Sequence, residues 1–172
     1  MNYAEFELLL SQLEACKDAR EWAKGKSFEE VWTTCHRGDW MLWLFNRMED
    51  KTGWGDLRNK TLAKVRCVRL VEHLLTDERS KNALVVAQKF AEGTATREEL
   101  SAAAAAAAAA SVAAASVAAA YVAAAYAASA AAYYASDDAS ADDAAAARES
   151  TLLKCANICR ETLITPLNIH KA

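Results

Sequence analysis

Apolar positions fall at helical spacing along most of the first half of the chain. Phe6, Leu9, Leu10, Leu13, Cys16 and Ala23 predict one continuous helix, and Gly25 is well placed to end it. Ser27-Phe28-Glu29-Glu30 reads as a capping box, in which the Ser27 hydroxyl accepts a backbone N–H while Glu30 reaches back. The helix it opens should run to about His36 and stop at Gly38. Asp39 is then placed to cap a third helix carrying Trp40, Trp43 and Leu44. After Gly53-Trp54-Gly55, the series Leu62, Val65, Val68, Val71 and Leu75 marks a fourth. A fifth, from about Asp77 to Glu92, should bury Leu84, Ala87 and Phe90 and end at Gly93. No stretch shows the sustained alternation of a strand, so the fold is expected to be all-α.

The second half follows another pattern. A further capping box, Thr96-Arg97-Glu98-Glu99, introduces residues 102–147, of which 30 are alanine. Ser111-Val112, Ser116-Val117 and Tyr121-Val122 each precede three alanines, giving period five, and Tyr126 continues the column. Alanine has the best helix propensity, so helix is predicted. A period of five advances about 140° per repeat, and the Val and Tyr columns therefore wind around the helix. A straight helix from Thr96 to Tyr134 would be about 58 Å long, against a radius of gyration of about 16 Å for a compact chain of this size. The tract must then project, bend, fold back or pair with another subunit. Ser136 to Asp143 is the expected break, with Ser136 or Asp137 capping a last helix that carries Leu152, Cys155, Cys159 and Leu163 before Pro166. The expected architecture is a helical bundle of short N-terminal helices plus long alanine-rich helices, or a helical hairpin of the latter. Residues 1–172 are read as one domain, with a Trp-rich part at 1–93 and an alanine-rich part at 94–172.

Composition and charge narrow the function classes. The net charge is −3. No Lys or Arg occurs from Glu98 to Ala147, where six acids do, so the remainder carries +3. That balance argues against a generally basic nucleic-acid binder. Residues 100–136 are uncharged, but alanine is nearly neutral in transfer to lipid and basic flanks are missing, so no membrane partner is expected. The N-terminus lacks a basic segment followed by an apolar run, and five cysteines form neither a CxxC nor a disulfide framework. A cytoplasmic protein with reduced, mostly buried cysteines is the expectation.

Candidate chemistry is sparse. Cys35 and His36 are adjacent and would diverge on a helix, which makes a poor nucleophile–base pair. Cys155 and Cys159 share a helical face and could join His73 or His170 around zinc, yet core packing explains the same spacing. Arg58, Lys60, Lys64, Arg66 and Arg69 occupy several faces of one helix, as a solvated surface would. No phosphate loop, HExxH or GxSxG motif occurs, so no enzyme activity and no cofactor are expected. Two groups remain as partner-binding candidates. One is Arg37, Trp40, Trp43 and Trp54, whose indoles either fill a core or form a recognition hot spot. The other is the acidic set Asp137, Asp138, Asp142 and Asp143, which suits a basic partner if it is more than a solvated turn. Tyr121, Tyr126, Tyr133 and Tyr134 are the candidates for self-association, which would make a homo-oligomer.

The segment Ser27-Phe-Glu-Glu-Val-Trp32-Thr-Thr-Cys35-His-Arg37-Gly38-Asp39-Trp40-Met-Leu-Trp43-Leu44 resembles the signature of the immunity protein family numbered five of bacterial polymorphic toxin systems, which has uncharacterised phage relatives. Arg66-Cys67-Val-Arg69-Leu-Val-Glu-His73, Asp77-Glu78-Arg79, the Ala/Tyr/Ser helix and Cys155-Ala-Asn-Ile-Cys159-Arg160 are similar as well, so the resemblance spans about residues 8–162. It implies a cytosolic, non-enzymatic inhibitor that neutralises a protein toxin or effector by stoichiometric binding. It carries over no catalytic residues. Two other readings stand beside it: a phage-encoded antagonist of a host defence protein, and a self-associating structural or assembly protein.

Overall fold

The computed structural model describes residues 1–48, 51, 53–75, 77–110 and 141–166. Among these residues the chain forms eight α-helices and no strand. They are α1 (Tyr3–Gln12), α2 (Lys17–Ala23), α3 (Phe28–Thr34), α4 (Gly38–Arg47), α5 (Leu57–Arg69), α6 (Glu78–Ala91), α7 (Arg97–Ala110) and α8 (Ala141–Thr162), with a 3₁₀ turn at Glu72–Leu74. The all-α expectation is met.

Most helices begin where a side chain can take up orphan N–H groups. Reciprocal capping boxes join Ser27 to Glu30 and Thr96 to Glu99, as the sequence predicts. A third, Asn2 with Glu5, opens α1 and is absent from the sequence reading. Asp56 and Asp77 cap α5 and α6 by accepting from Asn59 and from Arg79 and Ser80. Gly25 and Gly93, at φ +73° and +83°, take the left-handed conformation that ends α2 and α6.

The first expected helix is two. Glu14, at φ +56°, breaks it between α1 and α2. The chain reverses there because Phe6 and Leu10 of α1 and Ala23 of α2 must all reach one core. Cys16 is exposed in this turn, whereas Cys35, Cys67, Cys155 and Cys159 are buried. The break expected at Ser136–Asp143 lies outside the described residues as far as residue 140, and Asp142 and Asp143 are already within α8.

Two apolar clusters share α5. Ala63 and Cys67 belong to the larger one, with Phe6, Trp32, Phe45 and the buried stripe of α8. Cys155, Ala156 and Cys159 form that stripe, Leu163 continues it just past the end of α8, and Leu152 is buried one turn earlier, as the spacing predicts. Val65 faces a smaller cluster of Leu84, Ala87, Phe90 and Leu100. There α6 and α7 pack along each other as a helical hairpin across the Gly93 turn, and Ala103 and Ala104 are buried. Small side chains let the two backbones approach, so the start of the alanine tract finds its surface within the same chain.

The basic helix departs from a purely solvated surface. Lys60 is buried at 3% exposure, and Arg58 lies over the Phe90 ring at 5.3 Å. Arg66 donates to Thr162 Oγ1 at 2.7 Å and lies 3.7 Å from Glu161. Such long side chains cover neighbouring apolar surface with their stems, and the Arg66 head finds its acceptors at the end of α8. The C-terminal end of α8 is fixed by the same helix: Asn59 accepts from the Ile164 N–H at 3.0 Å and donates to the Thr162 carbonyl.

Candidate protein-binding site

The junction between α3 and α4 places the candidate residues. Arg37 occupies the N-cap position of α4 without a side-chain cap bond. Gly38 is the first helical residue and not a stop, and Asp39 follows it inside the first turn. The expected Asp39 cap is therefore corrected. Its carboxylate turns back instead to Arg37, accepting from Nε at 2.9 Å and from Nη2 at 2.6 Å. This is the planar two-pronged geometry that arginine matches to a carboxylate. Asp39 is buried, and its negative charge sits at the positive end of the α4 dipole.

The guanidinium of Arg37 also lies over the Trp40 ring, 4.4 Å from its centroid. Trp40 contacts Trp22 at 6.1 Å, and Trp22 meets His36 edge-on at 5.9 Å. Lys26 Nζ stands 3.7 Å above the Trp22 ring and donates to the Trp22 carbonyl at 2.7 Å. One helical turn beyond Trp40, Trp43 carries Arg47 at 5.8 Å. Trp22, Trp40 and Trp43 are all half-buried. Each thus combines a core-facing edge with a ring against which a cation rests.

Trp54 is placed differently. It meets Phe28 at a tilt and Phe45 edge-on, both at 5.5 Å, and Trp32 edge-on at 6.3 Å, in an aromatic group packed against the core. Trp32 itself is 4% exposed. Of these rings only Trp32 is fully in the core; Trp54 is half-buried like Trp40 and Trp43, but its neighbours are aromatic rings and not cations. Trp22, absent from the sequence candidates, joins the cation-bearing set. Its only sequence signal was its helical register ahead of Gly25, which does not separate a surface indole from a core one.

Asp142 and Asp143 lie in the first described turn of α8. Asp137, Asp138, Tyr121, Tyr126, Tyr133 and Tyr134 lie outside the described residues, as does His170.

The buried thiols are packed and hydrogen-bonded. Cys67 Sγ donates to the Cys155 carbonyl and Cys159 Sγ to the Gly38 carbonyl, both at 3.9 Å. Burial pushes the Cys35 thiol up, against the opposing effect of its backbone contact with Arg37. A hydrogen bond with Cys67, followed by burial, pushes Cys155 up. For Cys67 the contact with Cys155 favours the thiolate, but the contact with Cys159 and burial outweigh it, and its pKa is raised. Such thiols stay protonated and poorly nucleophilic at neutral pH. Among the described residues, no three His, Cys, Asp or Glu side chains are grouped to hold a metal ion. None of the described helices is long and apolar enough to cross a membrane.

What the fold defines is an all-α protein whose α2–α4 surface combines half-buried indoles with cations. Comparison with family models, curated proteins and solved structures finds no match to this chain.

Proposed function

We propose that this chain is a non-enzymatic inhibitor of immunity type, which neutralises a protein toxin or effector by stoichiometric binding through its α2–α4 surface. The observation that carries this reading is the set of half-buried indoles Trp22, Trp40 and Trp43, each with a cation against its ring. Tryptophan and arginine are the residue types that dominate binding hot spots, because they bring large area and several hydrogen-bond donors to one place. The Arg37–Asp39 pair holds its guanidinium in a fixed pose, so little side-chain entropy is lost on docking. The resemblance of the Trp32–Trp43 segment to an immunity protein signature gives the partner class.

The test begins with capture of a partner from the native host and its identification. Light scattering should then show a complex of fixed stoichiometry, and co-expression should relieve the toxicity of the captured protein. Trp40→Ala should abolish capture while circular dichroism shows an unchanged helical fold. Catalytic turnover of a toxin substrate or product by the purified chain would contradict the reading. So would persistence of toxicity when the complex is fully formed.

A further inference from the structure

Beneath the three cation-bearing indoles lies a cavity. It has a volume of about 40 Å³, opens partly to the surface, and is lined almost wholly by apolar atoms. Phe6, Leu10 and Val31 form part of its lining, and Trp22, Trp40 and Trp43 line it as well. A single water needs about 10–15 Å³ measured in this way, so the space takes about three heavy atoms. An apolar space of that size is a poor place for water and a good one for a branched aliphatic group.

The charges that rest on its indoles are cations. Lys26, Arg37 and Arg47 stand against the same three indoles that line the cavity. Of these, Arg37 is already paired with Asp39, which leaves Lys26 and Arg47 to meet the charge of a ligand. On α2 itself, Glu21 lies 3.7 Å from Lys17. An apolar hole among cations fits a ligand of the opposite design, with a small aliphatic group flanked by carboxylates.

We infer that this cavity is the anchor point of the partner-binding surface, and that it receives a valine-sized side chain from an acidic segment of the partner protein. The inference rests on the immunity-type reading for the identity of the partner, but not for the chemistry of the pocket. The aliphatic group fills the space between the indoles, and the flanking carboxylates meet Lys26 and Arg47. Apolar burial then supplies the affinity, while the rim charges select acidic over basic sequences.

The pocket is tested with blocked peptides, without any toxin. The chain has five tryptophans, so five indole N–H signals can be followed by NMR after assignment with single Trp→Phe variants. A Glu-Val-Glu peptide should shift the signals of Trp22, Trp40 and Trp43 at millimolar concentration and leave Trp54, which is not part of the lining, in place. Glu-Gly-Glu and Lys-Val-Lys should each bind at least tenfold more weakly. Ala19→Leu, which fills the cavity from α2, should lose the Glu-Val-Glu shifts, and so should Lys26→Glu combined with Arg47→Glu. If Ala19→Leu fails to fold, the three-peptide comparison on the unaltered protein decides by itself. Equal binding of Glu-Gly-Glu or Lys-Val-Lys, no shift with Glu-Val-Glu, or a shift confined to Trp54 would overturn the inference. Undiminished capture of a neutralised toxin by both variants would overturn it too, yet leave the immunity-type reading standing. Selective peptide binding with no captured toxin would do the reverse.

Discussion

Gly38 rests on Cys155 so closely that a Cβ added to the glycine would come within 2.4 Å of the Cys155 Cβ and 2.7 Å of the Ala156 backbone nitrogen. The N-terminus of α4 is thereby docked on the buried stripe of α8, and the Cys159 thiol reaches the Gly38 carbonyl across the same contact. Gly38 is needed here for closeness of approach. The atoms that a side chain would strike belong largely to backbone, which cannot swing aside. Gly38→Ala should therefore destabilise the fold by about 1–3 kcal/mol, despite the better helix propensity of alanine. Urea unfolding of the two proteins measures this, and an alanine variant of equal or greater stability would show that α4 and α8 can separate freely.

Arg37 and Asp39 make the second test. A cap and a two-pronged ion pair respond differently to serine, which can cap a helix but cannot hold a guanidinium by two oxygens. Asp39→Ser should cost about 1.5–3 kcal/mol, the range for hydrogen bonds to charged groups, and should not rescue Asp39→Ala. In an Arg37→Met background the same substitution should cost clearly less. Equal cost in both backgrounds would mean that the pair is uncoupled.

Acid should weaken the helix starts. The hydrogen bond from the Ser27 backbone, and then that from its hydroxyl, holds Glu30 below its ordinary value of 4.5, and Thr96 does the same for Glu99. The Arg79 side chain, with the Ser80 N–H, holds Asp77 below its ordinary 3.8. A carboxyl whose folded pKa is depressed contributes stability above its unfolded pKa and loses it as pH falls through the folded one. The urea midpoint should thus hold steady from about pH 7 to about pH 5 and decline below about pH 4.5. Glu30→Gln with Glu99→Gln should lower the neutral plateau and flatten the decline; an unchanged slope would mean that these caps do not titrate with folding.

Thiol accessibility checks the packing of α8. In native protein a soluble aromatic disulfide reagent should titrate Cys16 promptly, while the four buried cysteines react only on unfolding. Rapid native reaction of Cys155 or Cys159 would show that α8 leaves the core on that timescale.

Local chemistry was legible in the sequence wherever it involved neighbours in the chain. The Ser27 and Thr96 capping boxes, the glycine ends of α2 and α6, and the buried faces of α6 and α8 follow from spacing of three or four residues. Each depends on backbone geometry that the chain carries wherever it goes. The tertiary structure decided the rest. Glu14 breaks a run of helical spacing because α1 and α2 must face the same core. Gly38 is a contact point because α8 arrives from more than 100 residues away. Asp39 binds Arg37 because burial leaves that guanidinium as its partner. How far an indole is covered is likewise a property of what packs over it, and so Trp32 closed into the core while Trp22, unremarked in the sequence, came to stand beside Trp40 over the cavity.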